Sequence, residues 1–201
     1  MQRKEIAIIG YSGHSYVCIE IALLNGFNIT GYYDLNKKIL NPFDLDYLGK
    51  EEESNLNNSV FITIADNKIR KKIYENNSTL NFNNLLIHPK SIISKKVELK
   101  NQILVCAGSI INPKVQIGVG SIINTGAIIE HECSIGDFSH IAPGAVLCGG
   151  VKVGNESFIG ANCVVKQGIK IGNNVIIGAG SVVIDDVEDN FVVAGNPCKK
   201  I

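Results

Sequence analysis

From residue 87 onward an aliphatic residue returns at every sixth position. Positions 87, 93, 99 and onward to 183 hold Ile, Val or Leu without exception, seventeen in succession. A helix repeats every ~3.6 residues and a strand every two, so neither calls for six. Small or β-branched residues recur four places later, at Val97, Ser109, Val115, Ser121, Ala127, Cys133, Ser139, Ala145, Ser157, Cys163, Val175 and Ser181. Glycine often follows the aliphatic position, at 118, 136, 154, 160, 172 and 178, where it permits the positive φ of a tight corner. A fixed short repeat of this kind specifies a β-solenoid. Each short strand cannot bury its apolar side alone, and stacked coils share one core. With three hexads to a coil of 18 residues, residues 87–188 hold between five and six coils.

Residues 1–86 follow a different grammar. Glu5–Ile9 is a short apolar run that fits a buried strand. Gly10-Tyr11-Ser12-Gly13-His14-Ser15 is a loop, and Tyr16–Leu24 is compatible with a buried helix that Asn25-Gly26 stops. Phe27–Tyr33 reads as a second strand ending at Asp34, and residues 35–59 as loop with a short strand at Tyr47-Leu48. Val60–Ile64 is a third strand, Asn67–Asn76 a polar helix and Leu85–Ile87 a fourth strand. Strands alternating with helices specify a small, mostly parallel, Rossmann-like α/β sheet. The expected units are therefore residues 1–86 and residues 87–201.

Nineteen acidic residues balance nineteen basic ones, which removes any global drive toward nucleic acid or an anionic membrane. No apolar run reaches the ~18 residues of a membrane helix. The N-terminus lacks the longer apolar region of a secretory signal, so a cytoplasmic location is expected. The six cysteines (18, 106, 133, 148, 163 and 198) show no C-x-x-C spacing and read as small buried thiols, with no metal site.

In a solenoid the inward slots are structural, so chemistry falls to outward slots and loops. His131 stands two places after Ile129 and His140 five after Ile135, both outward and half a coil apart. Residues so placed point away from different sides of the prism. A site that uses both takes one of them from a neighbouring copy. Pro143, Ala161 and Ala179 stack at 18-residue spacing, and Gly149 lies one coil after His131. Such a rail lets an extended ligand lie against backbone amides, although small residues at corners serve turn geometry equally well. The loop at Gly10, Ser12, Gly13 and His14 follows a strand and opens a helix, which suits an anion. It lacks a full G-x-G-x-x-G, and this argues against a dinucleotide fold. Asp34 is placed to accept a hydrogen bond from a ribose or a base. Arg70 reads as a solvated helix charge or a loop anchor.

Several motifs resemble those of acetyltransferases that modify nucleotide-linked 4-amino sugars, the bacillosamine-pathway type, and of the related sialic acid O-acetyltransferases. They are Gly10-Tyr11-Ser12-Gly13-His14, Ile69-Arg70-Lys71-Lys72-Ile73-Tyr74, the run from Asn124 to Cys133 containing Glu130-His131-Glu132, Phe138-Ser139-His140, and Gly195-Asn196-Pro197-Cys198-Lys199. The resemblance implies a left-handed parallel β-helix in the second unit and a homotrimer with active sites between subunits. It implies acetyl-CoA as co-substrate and a nucleotide-4-amino-sugar as acceptor, in bacterial surface-glycan synthesis. By matched position His131 is the general base, Glu132 its acidic neighbour, and Asn124 a lining of the amine site. His140, Gly149, Ala161, Ala179 and Lys199 contact acetyl-CoA, while Gly10, Ser12, Gly13, His14, Asp34, Ala65 and Arg70 hold the nucleotide-sugar. The chain departs from the family pattern at Leu35, where a second Asp is usual, at Ala65-Asp66 in place of Gly-Asn, and at Cys198 in place of Ala. Those departures bear on sugar and nucleotide preference.

The implied chemistry is acyl transfer from a thioester. It needs a proton acceptor and a stabiliser for the tetrahedral oxyanion, for which an amide near Gly149 is placed. An imidazole titrates in the range such a base requires, and a neighbouring carboxylate stabilises the imidazolium. Direct transfer is expected, with an acyl-cysteine route through Cys133 or Cys148 as the minor alternative. The competing functions are an O-acetyltransferase, a zinc hydratase on the same solenoid, and a non-catalytic sensor of nucleotide-sugars.

Overall fold

The computed structural model describes residues 4–50, 59–77 and 80–201. The first unit is a four-stranded parallel sheet in the order β3-β2-β1-β4, with β1 at Glu5–Ile9, β2 at Asn28–Tyr33, β3 at Tyr47–Gly49 and β4 at Val60–Ile62. Part of the expected 35–59 loop, residues 51–58, lies outside the described residues.

Helix α1 (Gly13–Leu24) begins three residues earlier than the apolar run. The Ser15 hydroxyl accepts from the Ser12 amide at 2.8 Å and donates to the Ser12 carbonyl at 2.6 Å, which closes the first turn. The helix shows little amphipathic periodicity because it is buried on two sides. Ile19 packs on Ile8 and Tyr32 of the sheet, while Cys18, Ile21 and Ala22 pack on Leu86, Leu104 and Ile122 of the solenoid. Helix α2 (Asn67–Asn76) spans the expected residues, and the Asp66 carboxylate caps it by accepting from the Ile69 amide at 2.8 Å. No helix among the described residues is long and apolar enough to cross a membrane.

The second unit is a solenoid of two-residue strands that pair in parallel at a spacing of 18 residues, as Ile122 with His140 and His140 with Phe158. Its three sheets hold five, six and eight strands, the last including one antiparallel strand, Cys198–Lys200 against Val192–Gly195. The hexapeptide repeat and the parallel stacking fit a left-handed β-helix. The aliphatic positions from 105 to 183 form one continuous buried core. The segment expected as a fourth strand of the first unit belongs here instead, since Leu86–Ile87 pairs with Leu104–Val105.

One expectation about the corners is corrected. The glycines at 118, 136, 154, 160, 172 and 178 do not adopt positive φ. They are small because the next coil runs directly over them: a Cβ at Gly136 would stand 2.6 Å from the Asn155 amide nitrogen, and one at Gly154 2.5 Å from the Gly172 carbonyl carbon. Positive φ falls two places further on, at Gly120, Gly126, Gly144 and Gly150, and also at Lys114, Glu132, Phe138 and Glu156. Inward serines are satisfied within the stack, with Ser121, Ser139 and Ser157 donating to the carbonyls of Gly136, Gly154 and Gly172 at 2.7–2.8 Å.

The three outward faces differ. On one, Leu86, Leu104 and Ile122 are covered by α1 and the column continues as His140, Phe158 and Ile176. On the second, Ile92, Ile110, Ile128, Val146, Val164 and Val182 form an aliphatic column that no element among the described residues covers, Ile92 being 66% exposed and Val164 40%. The third carries Glu98, Gln116, Ser134, Lys152 and Lys170.

Candidate functional site

Two groups of side chains result, on different corners of the prism. The first lies where the α/β unit meets the solenoid. The Asn124 Oδ1 accepts from the Thr125 amide at 2.8 Å, so its Nδ2 faces His140 Nε2, 3.0 Å away. That contact makes Nε2 the acceptor and leaves the His140 proton on Nδ1, which is buried near the Ala65 backbone and finds no well-formed hydrogen bond among the described residues. The His14 ring stands 6.2 Å from the His140 ring. Burial and then the positive charge of Arg70 push His14 down to about 4 and His140 to about 3, so both imidazoles are neutral at physiological pH. Phe158 meets the His140 ring edge-on at 5.1 Å. A cavity of about 500 Å³ opens here, lined by Ala65, Asp66, Asn67, His140, Phe158 and Ile176 among others.

Arg70 is not a solvated charge. It is 2% exposed, and all five guanidinium N–H groups donate to protein oxygens. Nε donates to Gly120 O at 2.6 Å, Nη1 to Ile64 O and Ala65 O at 2.9 Å each, and Nη2 to Asn67 Oδ1 at 2.8 Å and Phe138 O at 3.0 Å. It clamps α2 and the end of the sheet to two coils of the solenoid. Only the anchor half of the sequence-level alternatives holds.

The loop at Gly10 is also partly used by the protein itself. Gly10 takes φ +94°, and a Cβ there would meet Ile64 Cγ1 at 2.5 Å. Asp34 Oδ2 accepts from the Tyr11 amide at 2.9 Å, and Asp34 Oδ1 pairs with Lys38 Nζ at 2.8 Å. The Ser12 amide goes to Ser15. An anion at this loop therefore meets the amides of Gly13 and His14, which as the first turn of α1 have no intrahelical acceptor.

The second group centres on His131. Its Nδ1 stands 3.3 Å from Glu132 Oε2, and Glu132 Oε1 stands 3.3 Å from Lys114 Nζ. Lys114 and then His131 hold the Glu132 carboxyl below its ordinary range. The ring sits close against Gly149: a Cβ at that position would fall 2.6 Å from His131 Cε1 and 2.7 Å from Nε2. Gly149→Ala is therefore expected to displace the imidazole and lower any His131-dependent turnover about 10²-fold for an ångström of misplacement. The Tm should change little. A kcat measurement beside a melting curve checks this.

Ala161 and Ala179 lie in one row with Pro143, the carbonyls of Pro143 and Ala161 receiving the Asn162 and Gly180 amides of the following coil at 2.9 and 2.8 Å. Lys199 pairs with Ala194 in the terminal hairpin, and Ala194 packs against Gly178 beside the end of that row. Among the described residues no hydrogen bond, ion pair or ring contact joins His131 to Asn124, His140 or His14. Nor does any group of three or more His, Cys, Asp or Glu gather in a metal-holding arrangement among them. Sequence reasoning missed Lys114, one coil before Glu132, and Phe158, one coil after His140. The 18-residue register was the signal that would have placed both.

A family model described as the PglD N-terminal domain matches residues 5–77, and one described as bacterial transferase hexapeptide (six repeats) matches residues 150–185. PerB from Caulobacter crescentus, in complex with CoA and GDP-perosamine, is 32% identical with TM-score 0.92, over 98% of this chain and 97% of that one. A histidine-to-asparagine variant of perosamine N-acetyltransferase from the same organism, also with CoA and GDP-perosamine, is 31% identical with TM-score 0.91, over 98% and 96%. The acetyltransferase domain of PglB from Neisseria gonorrhoeae, in complex with acetyl coenzyme A, is 29% identical with TM-score 0.90, over 100% of both chains. No curated protein sequence matches.

Proposed function

The chain belongs to the hexapeptide-repeat sugar acetyltransferases that carry a PglD-type N-terminal domain, and from that membership we propose that it N-acetylates the 4-amino group of a nucleotide-linked 4-amino-4,6-dideoxy sugar, with acetyl-CoA as donor. The observation that carries the chemistry is the His131–Glu132 pair seated on Gly149. A carboxylate only accepts, so the proton of the His131–Glu132 contact sits on Nδ1 and leaves Nε2 free as a base. The amine nitrogen attacks the thioester carbonyl carbon, the C–N bond forms, and the nitrogen's proton passes to Nε2. The Gly149 amide is the donor we assign to the oxyanion. Collapse breaks the C–S bond, and the imidazolium returns the proton to the departing CoA thiolate.

We assign the nucleotide-sugar to residues 1–86, at Gly13, His14, Asp34 and Ala65, and acetyl-CoA to residues 87–201, along Ala161 and Ala179 to Lys199. Asn124 and His140 face the acceptor amine. UDP and dTDP are the carriers proposed, with GDP included because PerB is in complex with a GDP-linked sugar.

The separation of the two groups supports a homotrimer with sites between copies. The uncovered aliphatic column supplies the surface for it, since a solvent-facing stripe of six stacked Ile and Val side chains is larger than an isolated exposed residue and calls for a partner. Ile128→Lys is expected to dissociate the oligomer to monomers and abolish turnover, which light scattering coupled to size-exclusion chromatography would check.

Thiol release from acetyl-CoA tests the activity. UDP-, dTDP- and GDP-linked 4-amino-4,6-dideoxy sugars are offered in parallel, with 4-hydroxy counterparts as controls. Rapid release with one amine is the expected result. Release with a hydroxyl sugar alone would replace N-acetylation by O-acetylation.

A further inference from the structure

The His131–Glu132 pair does not stand alone on its corner. Glu132 takes φ +63°, and Lys114, one coil earlier, takes φ +65°. The Glu132 amide donates to the Pro113 carbonyl at 3.1 Å, which stacks the two left-handed corners one above the other. Their side chains meet, Lys114 Nζ standing 3.3 Å from Glu132 Oε1. The other carboxylate oxygen, Oε2, is the one beside His131 Nδ1. A cation and an imidazole thus divide one carboxylate between its two oxygens. The acids nearby are occupied: Glu130 accepts from Asn112 Nδ2 at 2.9 Å, and Glu98 accepts from Gln116 Nε2 at 3.1 Å. Lys96 lies one coil before Lys114, its carbonyl receiving the Lys114 amide at 3.0 Å. A like charge on that side favours the carboxylate on the other.

We propose that Lys114 is a positioning residue for the acyl transfer, holding Glu132 Oε1 so that Oε2 stays on His131 Nδ1 and Nε2 stays the base, an inference that rests on the His131 chemistry given above. Glu132 is 55% exposed, so its long side chain has rotamers in solvent to lose. A second tie from a different coil reduces that freedom. It raises the fraction of molecules in which the carboxylate stands at His131. A carboxylate there only accepts, so the imidazole proton stays on Nδ1. With the carboxylate turned away the proton is free to sit on either ring nitrogen, and the tautomer protonated at Nε2 cannot take a proton from the amine. Lys114 also keeps the Glu132 carboxyl ionised by holding it below its ordinary range. Its effect passes through Glu132, so it changes the rate and leaves the binding of both substrates alone.

The test is steady-state thiol release by the wild-type oligomer and its variants, with the sugar amine that the wild type turns over. Lys114→Met should lower kcat about two- to fivefold, the worth of one exposed ion pair, with Tm and both KM values unchanged. Lys114→Glu sets a like charge against Glu132 and should lower kcat further than Lys114→Met does. Lys114→Arg keeps a cation in reach and should restore the wild-type kcat. In a Glu132→Ala background Lys114→Met should have no further effect, because the carboxylate it acts through is gone. Equal kcat for Lys114→Met and wild type overturns the inference. A loss that persists undiminished in the Glu132→Ala background also overturns it. So does a KM for acetyl-CoA that rises at constant kcat, which would make Lys114 a ligand of the donor. His131→Ala in the same assay keeps this inference apart from the functional reading. A wild-type rate that His131→Ala abolishes leaves that reading standing, and the Lys114 variants then decide the inference alone. A wild type silent with every amine, or a rate indifferent to His131→Ala, removes both.

Discussion

His131→Ala should lower kcat about 10²–10⁴-fold, the usual worth of one positioned base, while leaving the melting temperature within a degree or two. The side chain is 61% exposed, and its one ion pair is a 3.3 Å contact to an exposed carboxylate, so little folding energy depends on it. Its seat on Gly149 also needs no rearrangement when the ring is removed, because glycine leaves backbone rather than a dependent side chain behind. Steady-state kinetics with saturating acetyl-CoA, beside a thermal melt and a size-exclusion profile, separate loss of a base from loss of the fold. An unchanged kcat would remove His131 from the chemistry and return weight to a sensor or scaffold.

Arg70→Met should act in the opposite way, on stability first. The substitution removes five donors at once and leaves the carbonyls of Gly120, Phe138, Ile64 and Ala65 to find new partners inside a dry contact. Each buried carbonyl left unpaired costs about 1–3 kcal/mol, so two left unrelieved cost about 2–6 kcal/mol. At about 2–4 °C per kcal/mol for a chain of this size, Tm should fall by about 4–24 °C. Lysine cannot rescue it, since three donors on a flexible stem replace five in a fixed fork. Were Arg70 a substrate ligand instead, KM would rise with Tm unchanged.

The hexad periodicity and its core were legible because aliphatic burial in a solenoid obeys one local rule for the whole length. Helix α2 was legible as a polar helix over 67–76, but the burial of Arg70 was not. A basic residue on a polar helix carries no sign of a carbonyl-lined pocket built from residues fifty or more positions away. Helix α1 gave a weak signal because two faces are covered, which erases the periodicity that one covered face creates. The corner glycines were found in the right places for the wrong reason. Their small size answers to the coil stacked over them, an effect that a reading along one strand does not contain. The outward columns were readable in principle, since Leu86, Leu104 and Ile122 announce a covered face and Ile110, Ile128 and Val146 a second apolar one. The approach of His14 to His140 had no sequence signal, because it depends on how the α/β unit docks.

Subunit mixing tests most directly the claim that one copy's His131 completes a site built on His14, Asn124 and His140 of another. His131→Ala and a variant lacking the His14 and Asn124 side chains are each expected to be inactive. Co-refolded, they form mixed oligomers in which some junctions bring an intact His131 to an intact acceptor pocket. The expected result is recovery of a fraction of wild-type turnover, set by the statistics of mixing. Mixed oligomers with no recovered turnover would contradict a shared site and confine the chemistry to a single chain.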